Sequence, residues 1–346
     1  MSNNTYSKMK KTVIKTLYDE GAIANDLDEL ISRINFSKNE LEENLPDIQR
    51  TLGSPLAVID PRYLGYSFPS YTFVEMENNL ERGFEASRSD FNNPNKAMLL
   101  GTVLGDIDLI HRRVDENKWT NADFAKWAKG RLTYFEKFET YPVFQIARWH
   151  GKDIYEPVNQ EPSLLNQSEK DVITALREDP TLVWKIKQNS KNGDITLPDV
   201  VQKHGLDLTE NVIDELMSDE ILLGTSHTFD INSSPWNMAV MGLTLGEESE
   251  AQEAKPRMDL TDDHDKVIND LQNLDTEFID NFHLPFITSG VGQGWADILL
   301  ELRFEENHHL DSIAKSIRDI DHVETTRTYI MANQIFDHGL EATIQN

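Results

Sequence analysis

The stretch Gly105-Asp106-Ile107-Asp108-Leu109-Ile110 governs the interpretation of this chain, because a version of it recurs far downstream. The later copy is Gly294-Trp295-Ala296-Asp297-Ile298-Leu299, and both copies place Gly-x-x-Asp before a run of aliphatic residues. An apolar segment and a glycine precede each copy. A glycine turn between two apolar segments predicts a β-hairpin, so the chain is expected to contain the same hairpin twice.

A second and longer match supports a duplication. Residues 140–151 align without a gap to residues 328–339, and both segments open with Thr-Tyr and close with His-Gly. The offset of this match is 188 residues, and that of the Gly-x-x-Asp turns is 189. Two motifs that keep nearly the same spacing indicate an internal repeat of a large unit.

Composition limits the class of protein. The chain has 346 residues, which is room for two to four domains. No apolar run approaches the roughly 20 residues that a membrane-spanning helix needs, and the first residues lack the apolar stretch of a signal peptide. The absence of cysteine excludes disulfides, thiolate metal sites and cysteine nucleophiles. We therefore expect a cytoplasmic protein with no membrane segment.

The net charge of −27 comes from 60 acidic and 33 basic side chains, and it is spread along the chain. This charge favours a halophilic protein, working in a salty cytoplasm where the Debye length falls to about 3 Å at molar salt. An acidic mesophilic protein kept soluble by its charge is the alternative. At low salt, such a charge opposes an encounter with nucleic acid.

Residues 1–61 predict a winged helix-turn-helix unit. Apolar periodicity indicates three short helices, and Ser37 with Glu40 is typical of a capping box at the start of the third. Residues 56–61 then predict a short wing strand. Three short helices with a tight turn before the third are typical of the helix-turn-helix.

Residues 62–156 predict a ferredoxin-like module, because the elements follow the order strand, helix, strand, strand, helix, strand. The pattern then restarts, with a second winged helix-turn-helix over residues 157–230 and a second ferredoxin-like module over residues 231–346. The predicted fold class is α+β: two winged helix-turn-helix units alternating with two ferredoxin-like (βαββαβ) modules.

This order of elements resembles the Lrp/AsnC family of prokaryotic transcriptional regulators. Members have an N-terminal helix-turn-helix and a C-terminal ferredoxin-like module for effector binding and assembly. The Gly-x-x-Asp turn of that module is matched at Gly105–Asp108 and Gly294–Asp297, residues 166–180 resemble the opening helix, and residues 58–66 resemble the passage from wing to connector. The resemblance implies a DNA-binding regulator whose two modules form a pseudo-dimer within one chain. Further homo-oligomerisation stays open.

The resemblance also implies a small effector, such as an amino acid, at the two turns. The candidate ligand-binding residues are Gly105, Asp108, Gly294 and Asp297. The structural alternative is that glycine permits the backbone of the hairpin while the aspartate hydrogen-bonds its own turn.

The segments that would read double-stranded DNA are acidic. Residues 37–52 hold two basic side chains against four acidic ones, and residues 209–219 hold no basic residue. A helix in the major groove usually offers Arg, Lys, Asn or Gln to base edges, and lysines elsewhere can reach phosphates. The candidate DNA-binding residues are Lys38, Asn39, Gln49, Arg50, Lys185, Lys187, Lys191, Lys203 and Asn211.

We expect no catalytic residues, no cofactor and no metal site, and a protein that is not an enzyme. The sequence has no nucleophile elbow, Walker loop or Rossmann fingerprint. His308-His309 with Asp311 lacks the i, i+4 ligand spacing of a helical zinc site.

Two alternatives to a DNA-binding regulator stay open. One is a tetrapyrrole enzyme, since siroheme decarboxylases resemble Lrp/AsnC proteins; His111-Arg112-Arg113 is the only local cluster that would suit it, and the simpler interpretation of this cluster is an exposed strand end. The other is a regulator that acts through protein partners without direct DNA binding, which the acidic helices favour.

Overall fold

The computed structural model divides the chain into two compact units. Unit 1 comprises residues 1–64 and 161–235, and unit 2 comprises residues 65–160 and 236–346. The structure describes residues 8–10, 12–14, 16, 27–60, 63, 68–76, 97–115, 135–142, 145–146, 148–149, 152–153, 165–179, 182–183, 186, 210–229, 237–245, 262–274, 285–286, 296–304 and 306–337.

The regular elements are numbered here in chain order. The described helices are α1 (Leu27–Arg33), α2 (Lys38–Thr51), α3 (Gln167–Glu178), α4 (Glu210–Ser218), α5 (Asp262–Gln272) and α6 (Asn307–Arg318). The described strands are β1 (Leu52–Ile59), β2 (Phe68–Met76), β3 (Ala97–Leu104), β4 (Leu109–Asp115), β5 (Phe135–Pro142), β6 (Gln145–Ile146), β7 (Arg148–Trp149), β8 (Lys152–Asp153), β9 (Leu222–Phe229), β10 (Asn237–Leu245), β11 (Pro285–Phe286), β12 (Ile298–Phe304) and β13 (Val323–Asp337).

Unit 1 contains α1 to α4 and joins β1 to β9 as an antiparallel pair. Its core is apolar and draws on both halves of the unit, with Ala57 and Ile59 packed among residues of α3 and α4 such as Leu176 and Ile213. The predicted wing strands are thus each other's partners. The second helix of the second helix-turn-helix, predicted over residues 197–204, lies outside the described residues.

Two helices of unit 1 begin with reciprocal capping boxes, which satisfy backbone N–H groups that have no partner within the helix. At α2 the Ser37 backbone N–H donates to Oε2 of Glu40 at 3.1 Å, and the Glu40 N–H donates back to Oγ of Ser37 at 3.4 Å. At α3 the same exchange links Asn166 and Glu169, at 2.7 and 3.0 Å. The predicted start of α2 is therefore confirmed.

Unit 2 is built on a nine-stranded sheet with the order β5-β2-β4-β3-β13-β10-β12-β11-β6. Its pairings are antiparallel. Only two residues separate the end strands β5 and β6 along the chain, so the sheet must curl until its ends meet. The helices α5 and α6 cover the outer side of β10 and β12 with a core that includes Val267, Leu271, Ile313 and Ile317.

Strand register shows the duplication directly. Where β13 meets β3, Asn333 lies opposite Thr102. Where β6 meets β11, Gln145 lies opposite Phe286. Asn333 follows Gln145 by 188 residues, the offset of the sequence repeat, so the two junctions are copies of one another. Unit 2 therefore holds a first module (residues 65–160) and a second module (residues 236–346) related by a pseudo-two-fold axis.

The prediction of an α+β protein is confirmed, and the antiparallel sheet agrees with a ferredoxin-like or AsnC-type fold. The predicted helix around residues 120–132 and the acidic loop around residues 246–256 lie outside the described residues. The assignment of two winged helix-turn-helix units, and their alternation with the modules, stays a prediction.

Candidate functional site

The two Gly-x-x-Asp aspartates have the same backbone role. The Asp108 N–H donates to the Val74 carbonyl at 2.8 Å, and its Oδ2 accepts from the Met76 N–H at 2.7 Å. The Asp297 N–H donates to the Leu243 carbonyl at 2.7 Å, and its Oδ2 accepts from the Leu245 N–H at 2.8 Å. Each carboxylate thus ties its hairpin to the neighbouring strand, β2 or β10.

Gly105 opens the first turn with a φ of 150°, a backbone conformation that favours glycine. A Cβ atom at this position would lie 3.1 Å from the Tyr329 ring, so the absence of a side chain lets β13 approach the turn. Gly294, its predicted counterpart, lies outside the described residues. Both aspartates and Gly105 shape the hairpins, and their role in ligand binding stays a prediction.

A pocket of about 250 Å³, open to solvent, lies beside the first turn. It takes Asp106 and Ile107 from the turn itself. The remaining lining residues come from β2, β5 and β13; they are Phe73, Glu75, Lys137, Arg327 and Tyr329. Because β13 belongs to the second module, both modules contribute to this one pocket.

Four charged side chains surround the pocket, two of each sign. Arg327 forms an ion pair with Asp106, and its guanidinium lies 5.5 Å from the centre of the Tyr329 ring. The side chains of this pair are 43% and 59% exposed, so water screens their attraction. Glu75 and Lys137 are directly opposite each other on β2 and β5.

Aromatic rings form the apolar side of the pocket. The Phe73 ring lies 5.6 Å from that of Tyr329, and it meets Tyr141 edge to face at 5.3 Å. Tyr329 and Tyr141 are equivalent in the two modules, being 188 residues apart. Edge-to-face and tilted ring contacts hold this wall in a fixed shape.

A buried ion pair lies inside unit 2. Nη1 of Arg112 is 2.5 Å from both carboxylate oxygens of Glu301, and the side chains are 2% and 1% exposed. The Tyr71 hydroxyl donates to Oε1 of Glu301 at 2.7 Å. Burial above all, and then the charge of Glu301, raises the pKa of Tyr71 well above its ordinary value, which keeps this hydroxyl protonated as a donor.

The prediction that His111-Arg112-Arg113 is an exposed strand end is wrong for its first two members, since His111 and Arg112 are each 2% exposed. Side chains alternate between the two faces of a strand, so these two neighbours point to opposite faces of the sheet. Arg112 shares a face with its partner Tyr71, and His111 shares the other face with Thr72. The three residues therefore do not form one site.

The candidate DNA-binding residues fall in different parts of the structure. Lys38 and Asn39 are exposed in the first turn of α2, and Gln49 and Arg50 lie near its end. Asn211 lies at the start of α4, whose nine residues include no base. Four candidates lie outside the described residues: Lys185, Lys187, Lys191 and Lys203.

Metal and membrane features were also sought. Among the described residues, no group of three or more His, Asp or Glu side chains is arranged to hold a metal ion. His308 lies at the start of α6, where its Nδ1 is 3.2 Å from a carboxylate oxygen of Glu306 and its ring is 4.1 Å from that of His309. No helix in the described ranges is both long and apolar enough to cross a membrane.

The four pocket residues Glu75, Lys137, Arg327 and Tyr329 were not predicted as site residues. They come from three strands far apart in the chain, so no local motif contains them. The repeat alignment held one usable signal, because it pairs Tyr329 with Tyr141 while the charged positions around them differ between the copies.

Neither a protein-family model nor a curated protein matches the chain. Among solved structures, the siroheme decarboxylase NirDL matches 97% of this chain and 97% of its own, at 9% identity and a TM-score of 0.49. An AsnC family transcriptional regulator from Agrobacterium tumefaciens matches 43% of this chain and 95% of its own, at 13% identity and a TM-score of 0.32. The Neisseria meningitidis regulator NMB0573, solved as an L-Met complex, matches 43% and 96%, at 14% identity and a TM-score of 0.32.

These matches correct one expectation and narrow another. The expectation that the chain is not an enzyme is contradicted, because the structure that matches nearly its whole length is that of an enzyme. The likeness to Lrp/AsnC regulators is supported over about half of the chain.

Proposed function

We propose that this chain is a transcriptional regulator of the Lrp/AsnC kind that binds a small zwitterionic metabolite, of the amino-acid class, in the pocket beside Gly105–Asp108. The observation that carries the proposal is the pocket itself: two cationic and two anionic side chains surround an aromatic wall within about 250 Å³. Pockets for drug-sized ligands begin at roughly 300 Å³, so this one suits a smaller molecule.

The charges match the two ends of an α-amino acid. Arg327 and Lys137 are suited to a carboxylate, and a guanidinium can bind one through two parallel hydrogen bonds. Glu75 and Asp106 are suited to an ammonium group, and the Phe73 and Tyr329 rings would contact an apolar side chain. A ligand would have to compete with the Arg327–Asp106 pair, but exposed pairs contribute only about 0–1 kcal/mol.

Binding at this pocket would couple to the pairing of the two modules. Lys137, Glu75 and the turn belong to the first module, whereas Arg327 and Tyr329 belong to the second. A ligand held by both would favour the arrangement in which the modules are closely paired. Such differential binding is what an effector needs in order to shift an equilibrium between two states of a regulator.

Isothermal titration calorimetry with a panel of the standard amino acids tests this proposal. We expect at least one to bind the wild-type chain, and Arg327→Gln to weaken that binding by about 10- to 100-fold, as expected for a lost hydrogen bond to a charged group. Arg318→Gln is the matched control, because this exposed arginine of α6 bonds only its own helix in the described structure, at the Ala314 carbonyl. Equal binding by the wild type and Arg327→Gln would refute the pocket.

We further propose that unit 1 contacts double-stranded DNA through the residues predicted from the sequence. One of the four acidic side chains of α2 is already engaged, since Glu40 accepts hydrogen bonds from both the backbone and the hydroxyl of Ser37. Retention of a promoter fragment against random duplex in molar KCl tests this contact. The Lys185→Ala/Lys187→Ala variant should weaken retention, because lysines at the edge of such a unit bind phosphates.

Loss of retention at every salt concentration, with the chain folded, would redirect the proposal to a regulator that acts through protein partners. Siroheme belongs in the same ligand panel, given the solved enzyme that matches the chain. The pocket beside the first turn is too small for a tetrapyrrole, so siroheme would have to bind elsewhere. A change in its absorbance with release of carbon dioxide would assign an enzymatic activity.

A further inference from the structure

The buried pair Arg112–Glu301 joins equivalent positions of the two modules. Glu301 follows Arg112 by 189 residues, as Asp297 follows Asp108. The two aspartates make matching hydrogen bonds to β2 and β10, which fixes the structural equivalence of the strands that follow them. Arg112 on β4 and Glu301 on β12 therefore occupy the same place in two copies of one module.

A contact between equivalent positions can occur only on the axis that relates the copies. In an isologous pair, residue i of one copy contacts j of the other while j contacts i, and the two coincide at the axis. The repeated junctions β13–β3 and β6–β11 show that unit 2 has such an axis. The Arg112–Glu301 pair thus marks the centre of the pairing interface, where both side chains are at most 2% exposed.

We propose that Arg112 and Glu301 select the pairing of the first module with the second and act against the pairing of either module with a copy of itself. A self-paired first module would bring Arg112 against a second Arg112, and a self-paired second module would bring Glu301 against a second Glu301. Like charges buried at an interface act against the wrong partner, while the opposite charges fix the right one. The partner that this surface fits is therefore the other module and not a second copy.

The surroundings of the pair have diverged to suit this arrangement. Tyr71, which donates to Glu301, lies three residues before Val74, and Val240 lies three residues before the equivalent Leu243. The hydroxyl donor is thus present on the side that serves the carboxylate, and its counterpart is apolar. Since Glu301 takes bonds from both Arg112 and Tyr71, exchanging the two charges within one chain should restore pairing only in part.

A partner-exchange experiment with full-length chains tests this proposal. One chain carries Arg112→Glu and Thr102→Cys, and the other carries Glu301→Arg and Asn333→Cys together with a tag that changes its mass. Thr102 and Asn333 lie directly opposite each other on β3 and β13, at a spacing that a disulfide can bridge. The natural chain has no cysteine, so these positions alone report which modules have met.

Each variant alone faces like charges inside its own chain, but an exchanged pair sets the introduced carboxylate of the first chain against the introduced guanidinium of the second. We expect the mixed disulfide to form at least about tenfold more in this mixture than between chains that carry the same cysteines with the natural charges, because tethering favours pairing within one chain when the charges permit it. Mixed disulfide at the reference level, whether the single variants fold or not, would overturn the proposal.

A second variant separates selection from stability. Arg112→Met/Glu301→Met removes both charges but keeps two long side chains, and apolar replacements of buried ion pairs often preserve the fold. With Thr102→Cys and Gln145→Cys added, a self-paired first module would form a disulfide between chains. We expect this product to rise at least about tenfold over the same cysteines with the natural pair. An unchanged yield would show that the tether alone selects the partner.

Discussion

The two Gly-x-x-Asp turns have the same backbone and different surroundings. Asp108 and Asp297 make the same pair of hydrogen bonds, but only the first turn has four charged side chains at its pocket. At the equivalent positions of the second copy, Thr244 stands for Glu75, Thr325 for Lys137, Trp295 for Asp106 and Glu139 for Arg327. The duplication thus kept the residues that build the hairpin and changed those that would recognise a ligand.

The largest expected effect is at the position where the copies differ in the buried interior. Glu301→Ala leaves the Arg112 guanidinium buried with its carboxylate removed, and we expect this to lower the free energy of unfolding by about 3–5 kcal/mol. Urea denaturation measures the change. The control is Lys266→Ala, which breaks an exposed pair with Asp321 and should cost at most about 1 kcal/mol. Equal losses from both variants would show that the buried pair has no special role.

The aspartate that both copies share gives the next effect. Asp297→Ala and Asp108→Ala each leave one strand N–H without its acceptor, so each should cost about 1–3 kcal/mol in urea denaturation. The loss should be larger for Asp297, which is 8% exposed, than for the partly exposed Asp108. Asparagine at either position keeps an acceptor oxygen and is the control. A substitution by alanine that costs nothing would contradict the structural role of the turn.

The difference in ligand recognition can be removed by making the first copy resemble the second. Glu75→Thr and Lys137→Thr introduce the residues found at positions 244 and 325, and each should weaken amino-acid binding by about tenfold, the effect of losing roughly 1.4 kcal/mol. The affinity is measured by calorimetry, with Thr244→Val as the control in the second copy. Undiminished binding by both variants would place the ligand elsewhere.

The smallest expected effect lies in unit 1 and depends on pH. Hydrogen bonds from the side chain and backbone of Ser37 hold the pKa of Glu40 below its ordinary value. A lowered pKa in the folded state means that the ionised carboxylate stabilises the fold above the pKa of the unfolded chain. That contribution is lost as the pH falls through the lowered pKa of the folded state.

Glu40→Gln should therefore be less stable than the wild type at neutral pH, and the difference should shrink in acid. Urea midpoints at pH 7 and near pH 3 measure it. Glu42→Gln, an exposed neighbour on the same helix, should show no comparable pH dependence. A difference between Glu40→Gln and the wild type that does not change with pH would contradict the capping role of the carboxylate.

The sequence predicted the elements because their signals are local. The capping residues Ser37 and Glu40 fixed the start of α2, and the apolar period of residues 310–317 predicted α6. The repeat predicted that two modules would pair, since each Gly-x-x-Asp turn implied its own hairpin. These inferences needed only spacing within a segment or between two copies of it.

The contents of the pocket and of the interior could not be predicted in the same way. Arg327 reaches Asp106 from a strand more than two hundred residues away, and that contact depends on how β13 lies across the first module. For His111 and Arg112, adjacency in sequence suggested one cluster, yet a strand separates such neighbours onto opposite faces. Only the register of β4 against β2 shows which of them faces Tyr71.

The stoichiometry of amino-acid binding, measured by calorimetry on the full-length chain, tests the central claim most directly. The divergence of the charged residues predicts one site per chain, at the first turn, and its loss in Arg327→Gln. Two equivalent sites per chain would show that the second turn is as competent as the first. The absence of binding to any amino acid would contradict the proposed function itself.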